Sequence, residues 1–374
     1  MKFTVSSSQL LNRLQTVGRV VPSKSSMAIL DHFLLQVSDN MLTITGSDLD
    51  TTIVSRLEVS DVEGEIMVAL PSKLLMETIK EFADQPLVFE ISTENYGVEF
   101  RTESGKYKFV GKPGGDYPKL KELDANAKKY TVAAPTLLQG ITKTSFAAAA
   151  EDVRPTMTGV FHQFNEKGVT FAATDAHKLV RLINSATPFS EPSSFILPRK
   201  AGQLLRAILA GETDMVDIIF DTQNISYEMP HYTLYCRQIE GKYPNYAAVI
   251  PQNNDIEVIV DRASFANAIK RIAVFTNQGT NLIKIDINQG EIRLSAQDID
   301  FSTSAEDKIP CQYDGEPISI GFKAALLIEI VSSISTAEIR ILLSDPSRAG
   351  LILPVENEEN EDLLCLLMPM LINE

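Results

Sequence analysis

The sequence predicts an α+β protein built from three copies of one repeat. Three segments each consist of an alternating strand, a turn with an aspartate and a second alternating strand. Their aspartates, Asp48, Asp175 and Asp298, lie 127 and 123 residues apart. Three strand-to-helix junctions recur with the same two spacings, at Pro71, Pro198 and Gly321. Because two independent features recur with the same spacings, we interpret the chain as a tandem repeat.

Each repeat opens with a helix-forming segment and contains a second helix after several strands. In the first repeat Leu10, Leu14 and Val17 recur at helical spacing and form one apolar stripe. Leu42 and Ile44 alternate with polar residues, as in a half-buried strand. We therefore predict two helices packed on antiparallel sheets in every repeat. The predicted domains are residues 1–125, 126–252 and 253–374.

Composition limits the class of protein. The 374 residues are 44% hydrophobic and 22% charged, which is typical of a globular chain with several domains. The three cysteines are far apart and form no CxxC pair, which indicates a reducing compartment and no structural zinc site. The N-terminus lacks the pattern of a signal peptide, and no apolar run is long enough to span a membrane. We expect a cytoplasmic protein.

Charge is unevenly distributed along the chain. The total is 34 basic against 49 acidic residues, a net charge of −15. The six predicted helical segments nevertheless hold twelve Lys and Arg and few acidic residues, so they are net positive and the remainder is strongly negative. If these helices line one surface, that surface suits a polyanion, bound without sequence preference and in a salt-sensitive manner.

No catalytic constellation is present in the sequence. It lacks GxGxxG, P-loop, HExxH and GxSxG motifs, and its four histidines are scattered without metal-ligand spacing. Each repeated aspartate follows small or polar residues at a strand end, where aspartate commonly accepts backbone N–H bonds in a turn. We predict a protein with no catalytic residue, no metal and no cofactor.

Two other functions stay open from the residues alone. One is an enzyme that acts on an anionic polymer or a sugar phosphate through the repeated aspartates. The other is a ring or scaffold that holds proteins but does not bind DNA.

Several motifs occur in an order that resembles one family over essentially the whole chain. They are the opening MKFTVSSSQLLNRLQ, the GSDLD turn, TDAHKL, LPRK, EGKYPNYAAVIP and the closing MPM. Together they are similar to the bacterial replicative sliding clamp, the beta subunit of DNA polymerase III. The resemblance implies three DNA-clamp domains in each chain and a head-to-tail dimeric ring around duplex DNA. It also implies partners: the polymerase catalytic subunit, a clamp loader, and other replication and repair proteins that bind through short linear motifs.

The resemblance further implies a peptide-binding pocket between the second and third domains. Its residues in this chain are Met157, Thr174, Ala176, His177, Lys178, Leu179, Pro244, Val249, Leu366, Met368, Pro369 and Met370. The chain departs from the better-known family pattern at several places. Those departures are Ala176 for Gly, Lys178 for Arg, Ala248 and Leu371 for Arg, and Leu326 for a Tyr. They favour more apolar ligands.

Two further sets of residues follow from the family pattern. For the dimer contact it points to Tyr107 and Phe109 of the first domain against Val274 and Phe275 of the third. For duplex DNA the resemblance supplies Lys24, Lys73, Arg154, Arg199 and Lys200, and the helix charges add Arg13 and Arg271.

Overall fold

The computed structural model describes residues 1–150 and 153–372. Within this part of the chain, six α-helices carry the predicted apolar stripes. They are α1 (Ser7–Gly18), α2 (Ser72–Ile79), α3 (Ala134–Thr144), α4 (Arg199–Leu209), α5 (Arg262–Ala273) and α6 (Ala324–Ser333).

Contacts within the chain group it into two compact units. The first unit comprises Met1–Leu138 and Lys200–Gln238, and the second comprises Gln139–Arg199 and Ile239–Glu374. The middle repeat is thus shared between the units, because its strands join sheets that also contain strands of the flanking repeats. The three domain boundaries drawn from the sequence stay a prediction.

The first unit contains two antiparallel sheets. One has the order β5-β1-β7-β8-β9, from β1 (Lys2–Ser6), β5 (Ser60–Glu63), β7 (Pro86–Ile91), β8 (Gly97–Arg101) and β9 (Lys106–Val110). The other has the order β10-β6-β2-β3-β4-β18-β17-β16-β11. Its strands are β2 (His32–Ser38), β3 (Met41–Ser47), β4 (Thr51–Glu58), β6 (Ile66–Pro71), β10 (Lys112–Pro113), β11 (Lys128–Ala133), β16 (Met215–Phe220), β17 (Asn224–Glu228) and β18 (Tyr232–Arg237).

The second unit repeats this design. Its larger sheet has the order β15-β12-β13-β14-β26-β25-β24-β19, and its smaller sheet has the order β22-β21-β20-β23. The larger sheet uses β12 (Gly159–Asn165), β13 (Gly168–Thr174), β14 (Lys178–Asn184), β15 (Ser193–Pro198), β19 (Ile256–Asp261), β24 (Glu338–Leu343), β25 (Gly350–Pro354) and β26 (Glu361–Leu367). The smaller sheet uses β20 (Leu282–Asn288), β21 (Glu291–Asp298), β22 (Thr303–Pro310) and β23 (Ile318–Lys323).

One rule joins consecutive repeats in both units. The strand after the first repeat's aspartate turn, β4, pairs with β18, the last strand of the second repeat. The equivalent strand of the second repeat, β14, pairs in the same antiparallel manner with β26, the last strand of the third. The corresponding strand of the third repeat is β22, and the strand of the first repeat equivalent to β18 and β26 is β9. Both are edge strands of their sheets in this chain.

Side-chain capping fixes where the first helix of the first and third repeats begins. The Ser6 hydroxyl caps α1 by accepting a hydrogen bond from Gln9 N at 3.3 Å, and Asp261 caps α5 by accepting from Ser264 N at 2.7 Å. The apolar stripe of α1 is fully buried at Leu10, Leu14 and Val17, as the helical spacing predicts. Burial of this stripe holds the helix, since a helix this short is marginal by itself.

The third strand-to-helix junction differs from the sequence prediction. Gly321 lies inside β23 rather than at its end, and α6 begins at Ala324. Glycine is required there by a close approach, since a Cβ atom on Gly321 would lie 2.8 Å from the Met370 carbonyl oxygen. The two residues form an antiparallel bridge, in which Met370 N donates to Gly321 O at 2.8 Å.

The charge bias of the helices persists in their observed bounds. The six helices hold nine basic and two acidic side chains. No helix in the described residues is long and apolar enough to cross a membrane.

Candidate functional site

The three repeated aspartates shape turns, as their sequence context predicts. Asp48 Oδ1 accepts hydrogen bonds from the backbone N–H groups of Asp50 and Thr51 at 3.1 and 2.7 Å. Asp175 Oδ1 accepts from His177 and Lys178 at 2.9 and 2.8 Å, and Asp298 Oδ1 accepts from Asp300 and Phe301 at 2.9 and 3.3 Å. This common geometry assigns the carboxylates a structural role and explains why aspartate recurs.

The residue after the aspartate adopts an unusual backbone conformation in two of these turns. Leu49 has φ 82° and Ala176 has φ 76°. This is the left-handed region, which glycine enters without the steric penalty that a Cβ atom carries. The family's usual glycine at the position of Ala176 therefore has a physical reason.

The turn at Asp175 forms one wall of a cavity of about 540 Å³ in the second unit. The rest of the lining comes from β14, the end of β26, the segment after Tyr243 and a short 3₁₀ turn at Pro155–Met157. The lining residues are Arg154, Thr156, Met157, Thr174, Ala176, Lys178, Leu179, Pro244, Asn245, Tyr246, Val249, Leu366 and Met368.

The cavity has a buried apolar floor and an accessible rim. Leu179, Leu366 and Met157 are nearly fully buried, and the first two belong to a core cluster against which Tyr246 packs. At the rim Val249 is 58% exposed and Met368 is 42% exposed. A buried apolar floor below exposed apolar side chains suits a ligand that inserts hydrophobic groups.

The lining of the cavity also contains a buried ammonium group, that of Lys178. Lys178 Nζ lies 2.8 Å from Asp175 Oδ2 and 3.0 Å from Glu329 Oε2, with only 5% of the lysine side chain exposed. Burial raises the pKa of Asp175, but hydrogen bonds from the Lys178 side chain and from the backbone of Lys178 and His177 outweigh it. The pKa of Asp175 therefore lies below its ordinary value, and the ion pair compensates the buried charge.

Most residues assigned to the pocket by the family pattern meet in this cavity. His177, Pro369 and Met370 are outside the lining, although Met368 N donates to His177 O at 2.9 Å. Their place in a ligand site stays a prediction. Sequence reasoning missed Thr156, Asn245 and Tyr246. The signal for Tyr246 was the EGKYPNY segment, where Tyr243 also stacks on Phe161 with ring centroids 4.8 Å apart.

Most side chains predicted to contact DNA are exposed, and several of them already have partners. Lys200 forms an ion pair with Asp48, and Arg271 binds Asp307 through Nε and Nη2 at 2.7 and 2.5 Å. Lys73 lies 3.9 Å from Glu77, and the Arg13 guanidinium stacks 4.9 Å from the centroid of the Tyr232 ring.

The other three residues predicted to bind DNA are Lys24, Arg199 and Arg154. Lys24 and Arg199 are exposed and form no salt bridge with a described residue, whereas Arg154 lies at the cavity in the second unit. A role of any of the seven in DNA binding stays a prediction.

The residues predicted for the dimer contact lie at or near free sheet edges. Tyr107 and Phe109 are half-buried on β9, and Tyr107 stacks on Phe100 with centroids 4.8 Å apart. In the second unit Val274 and Phe275 follow α5 and are 79% and 38% exposed. Large apolar side chains beside an unpaired strand are a surface that a partner would cover.

The described residues contain no group of three or more His, Cys, Asp or Glu side chains that could hold a metal ion. The three cysteines are free thiols, and burial raises the pKa of Cys365 to about 12. No described thiol thus has the low pKa of an activated nucleophile.

Comparison with known proteins agrees with the resemblance seen in the motifs. Models for the N-terminal, central and C-terminal domains of the DNA polymerase III beta subunit match residues 1–121, 131–245 and 247–371. The beta sliding clamp of Pseudomonas aeruginosa is 27% identical over 371 residues, which are 99% of this chain and 100% of that protein.

Solved structures agree with these matches. The crystal structure of the DNA polymerase III subunit beta from Pseudomonas aeruginosa has a TM-score of 0.93 at 26% identity and covers 100% of both chains. A sliding clamp structure from the same organism, bound to griselimycin, has a TM-score of 0.94 at 26% identity and the same coverage. Since the three domain models match in order along nearly the whole sequence, the chain belongs to the DNA polymerase III beta subunit family, the beta sliding clamps, which are non-catalytic processivity factors of DNA replication.

Proposed function

We propose that this protein forms a homodimeric ring that encircles duplex DNA and tethers the replicative polymerase to it. A clamp loader and other replication and repair proteins would bind the same cavity through short linear motifs. Tethering raises the local concentration of the polymerase at its template without any chemical step in the clamp.

The pairing rule of the repeats is the observation that carries the ring. Strand β4 pairs with β18 and β14 pairs with β26, which leaves β22 and β9 as the equivalent third pair. Two copies arranged head to tail would close both remaining pairs, β22 on β9 of the partner, and leave no such edge open. The apolar residues Phe109 and Val274 near these edges would be buried by the same contact.

The dimer contact is tested by placing charges in it. Phe109→Asp together with Val274→Asp should convert a dimer into monomers, as measured by sedimentation velocity over a range of concentrations. Val153→Asp is a matched control, since Val153 is 83% exposed and lies outside the proposed contact. Dimers that survive the double change would contradict the proposed interface.

Support for DNA as the encircled polymer comes from the helices, whose side chains are nine basic and two acidic in a chain of net charge −15. Lysine and arginine contacts of this kind bind phosphates without reading sequence, as sliding requires. Clamps loaded onto nicked circular DNA should stay bound and should be released when the circle is linearised. Retention on linear DNA with free ends would contradict topological tethering.

The same experiment distinguishes the clamp from the alternative, a scaffold that holds proteins but does not bind DNA. The scaffold predicts no retention on circles and no effect of Arg199→Glu. An enzyme that uses the repeated aspartates is disfavoured, because their carboxylates are engaged by turn N–H groups.

For the cavity, support comes from its apolar floor, and a sliding clamp from Pseudomonas aeruginosa has been solved bound to griselimycin. We propose that the cavity binds short peptide segments with exposed hydrophobic side chains. We also infer a cytoplasmic location, which the three free thiols support.

A further inference from the structure

The first unit contains a cavity that is equivalent by repeat to the one described above. It has a volume of about 500 Å³ and is lined by the turn at Asp48, the segment after Tyr117 and the end of β18. Three of its walls have counterparts in the second unit: the aspartate turn lies 127 residues further along the chain, the Tyr-Pro segment 126 residues further along, and the end of β18 corresponds to the end of β26. Leu49 corresponds to Ala176 and shares its positive φ, and Pro118 corresponds to Pro244. We call this the first-unit cavity, and its counterpart the second-unit cavity.

The strand pairing fixes the remaining correspondences. Thr51 faces Cys236 as Lys178 faces Leu367, so Tyr235 and Arg237 take the places of Leu366 and Met368. By the same repeat Thr52 replaces Leu179. The apolar floor of the second-unit cavity is therefore absent from the first-unit cavity, and the same ligand cannot be expected to bind both.

The first-unit cavity instead carries an excess of cations at its rim. Lys119, Lys121 and Arg237 are exposed and form no salt bridge with any described residue. Of the two carboxylates in the lining, that of Asp48 is engaged by its turn and by Lys200, which leaves Asp50 against three cations. Two apolar side chains lie among these charges, Leu49 at 53% and Leu120 at 39% exposure.

We propose that the first-unit cavity is a second docking site, for an acidic peptide segment that carries one apolar side chain. Glutamate or aspartate residues would pair with Lys119, Lys121 and Arg237, and the apolar side chain would cover Leu49 and Leu120. The exposed leucines favour a peptide over a nucleic acid, since phosphate contacts gain nothing from an apolar surface.

The probe is a fluorescein-labelled synthetic peptide in which glutamates flank a single leucine. Its binding to the full-length protein is measured by fluorescence anisotropy at low and at physiological salt. Saturable binding is expected, and Lys119→Glu with Lys121→Glu should weaken it by about tenfold or more. The matched control is Lys167→Glu with Lys242→Glu, which places the same charge change on exposed lysines of the second unit and should leave the affinity unchanged.

Two further arms locate the peptide. Met368→Arg, which alters the second-unit cavity, should not reduce binding, and a peptide with serine in place of leucine should bind more weakly. Absence of saturable binding, equal loss in the control variant, or loss through Met368→Arg would each overturn the proposal. A DNA duplex that displaces the peptide with the same dependence on Lys119 and Lys121 would assign the surface to nucleic acid and overturn it as well.

Discussion

The first-unit and second-unit cavities have the same backbone design and different walls. Both lie beside an aspartate turn, a Tyr-Pro segment and the last strand of the following repeat. In the second unit Leu179, Leu366 and Met368 make the lining apolar, whereas Thr52, Tyr235 and Arg237 make it polar in the first. A repeat thus fixes where a cavity forms, and a few side chains decide what can bind there.

The two units also differ in how deeply their ion pairs are buried, and breaking the most buried pair should give the largest effect. Lys143 Nζ lies 2.6 Å from Glu361 Oε2, with side chains only 14% and 3% exposed. Lys143→Met would leave the buried Glu361 carboxylate unpaired and should lower the free energy of unfolding by about 3–5 kcal/mol.

The corresponding change at an exposed ion pair of the first unit is Lys200→Met. Lys200 pairs with Asp48 but is 61% exposed, so its loss should lower the free energy of unfolding by about 1 kcal/mol or less. Chemical denaturation of both variants measures the difference. Equal effects would show that burial does not decide how much each ion pair contributes to stability.

The second comparison concerns acid stability. His162 is fully buried on β12, where its repeat equivalents are Leu35 and Ile285. Burial lowers the pKa of His162 to about 4. An unfolded histidine binds a proton near pH 6.5, so the unfolded chain takes up protons first as the pH falls.

The stability that neutral His162 contributes is therefore complete above about pH 6.5 and is lost as the pH falls toward 4, by about 3 kcal/mol in total. His162→Leu, which copies the first repeat, should remove this part of the pH dependence. Denaturation of both proteins at a series of pH values between these limits is the measurement. An unchanged slope in the variant would contradict a depressed pKa of His162.

The third comparison exchanges one wall residue. Met368→Arg gives the second-unit cavity an arginine at the position that Arg237 occupies in the first. Because this places a charge over the apolar floor, binding of an apolar polymerase-derived peptide should weaken by about tenfold or more. Since Met368 is 42% exposed, the fold should be retained. Arg237→Met is the reciprocal control and should leave that affinity unchanged in an anisotropy titration. An effect of Arg237→Met as large as that of Met368→Arg would place the apolar peptide elsewhere.

The smallest expected effect concerns the turn backbone that both cavities share. Ala176→Gly removes a Cβ atom at φ 76° and should raise the free energy of unfolding by up to about 1 kcal/mol, since the relief of strain exceeds the entropy that glycine adds to the unfolded chain. Leu49→Gly at φ 82° should act in the same direction. Thermal unfolding of both variants checks this, with Ala172→Gly in β13 as a control that should be destabilised. A loss of stability in Ala176→Gly would show that the turn is not strained.

Features that repeat along the chain could be predicted from the sequence. The spacing of Asp48, Asp175 and Asp298 indicated three repeats, and the Asx-turn role of these residues follows from local chemistry. The family motifs around Ala176 and Met368 predict most of the residues that line the second-unit cavity.

Features that depend on distant pairing could not be predicted in this way. No local signal shows that β4 pairs with β18, and this pairing is the reason that the middle repeat is shared between two compact units. The helix charges likewise did not reveal that Arg271 and Lys200 already have carboxylate partners, because Asp307 and Asp48 lie far away in the sequence.

The ring is tested most directly by small-angle X-ray scattering of the full-length protein over a range of concentrations. Closure of β22 on β9 of a partner predicts a particle of twice the mass of one chain, with a pair-distance distribution that shows a central hole. A compact particle with the mass of a single chain, unchanged as the concentration rises, would contradict the head-to-tail dimer and with it the encirclement of DNA.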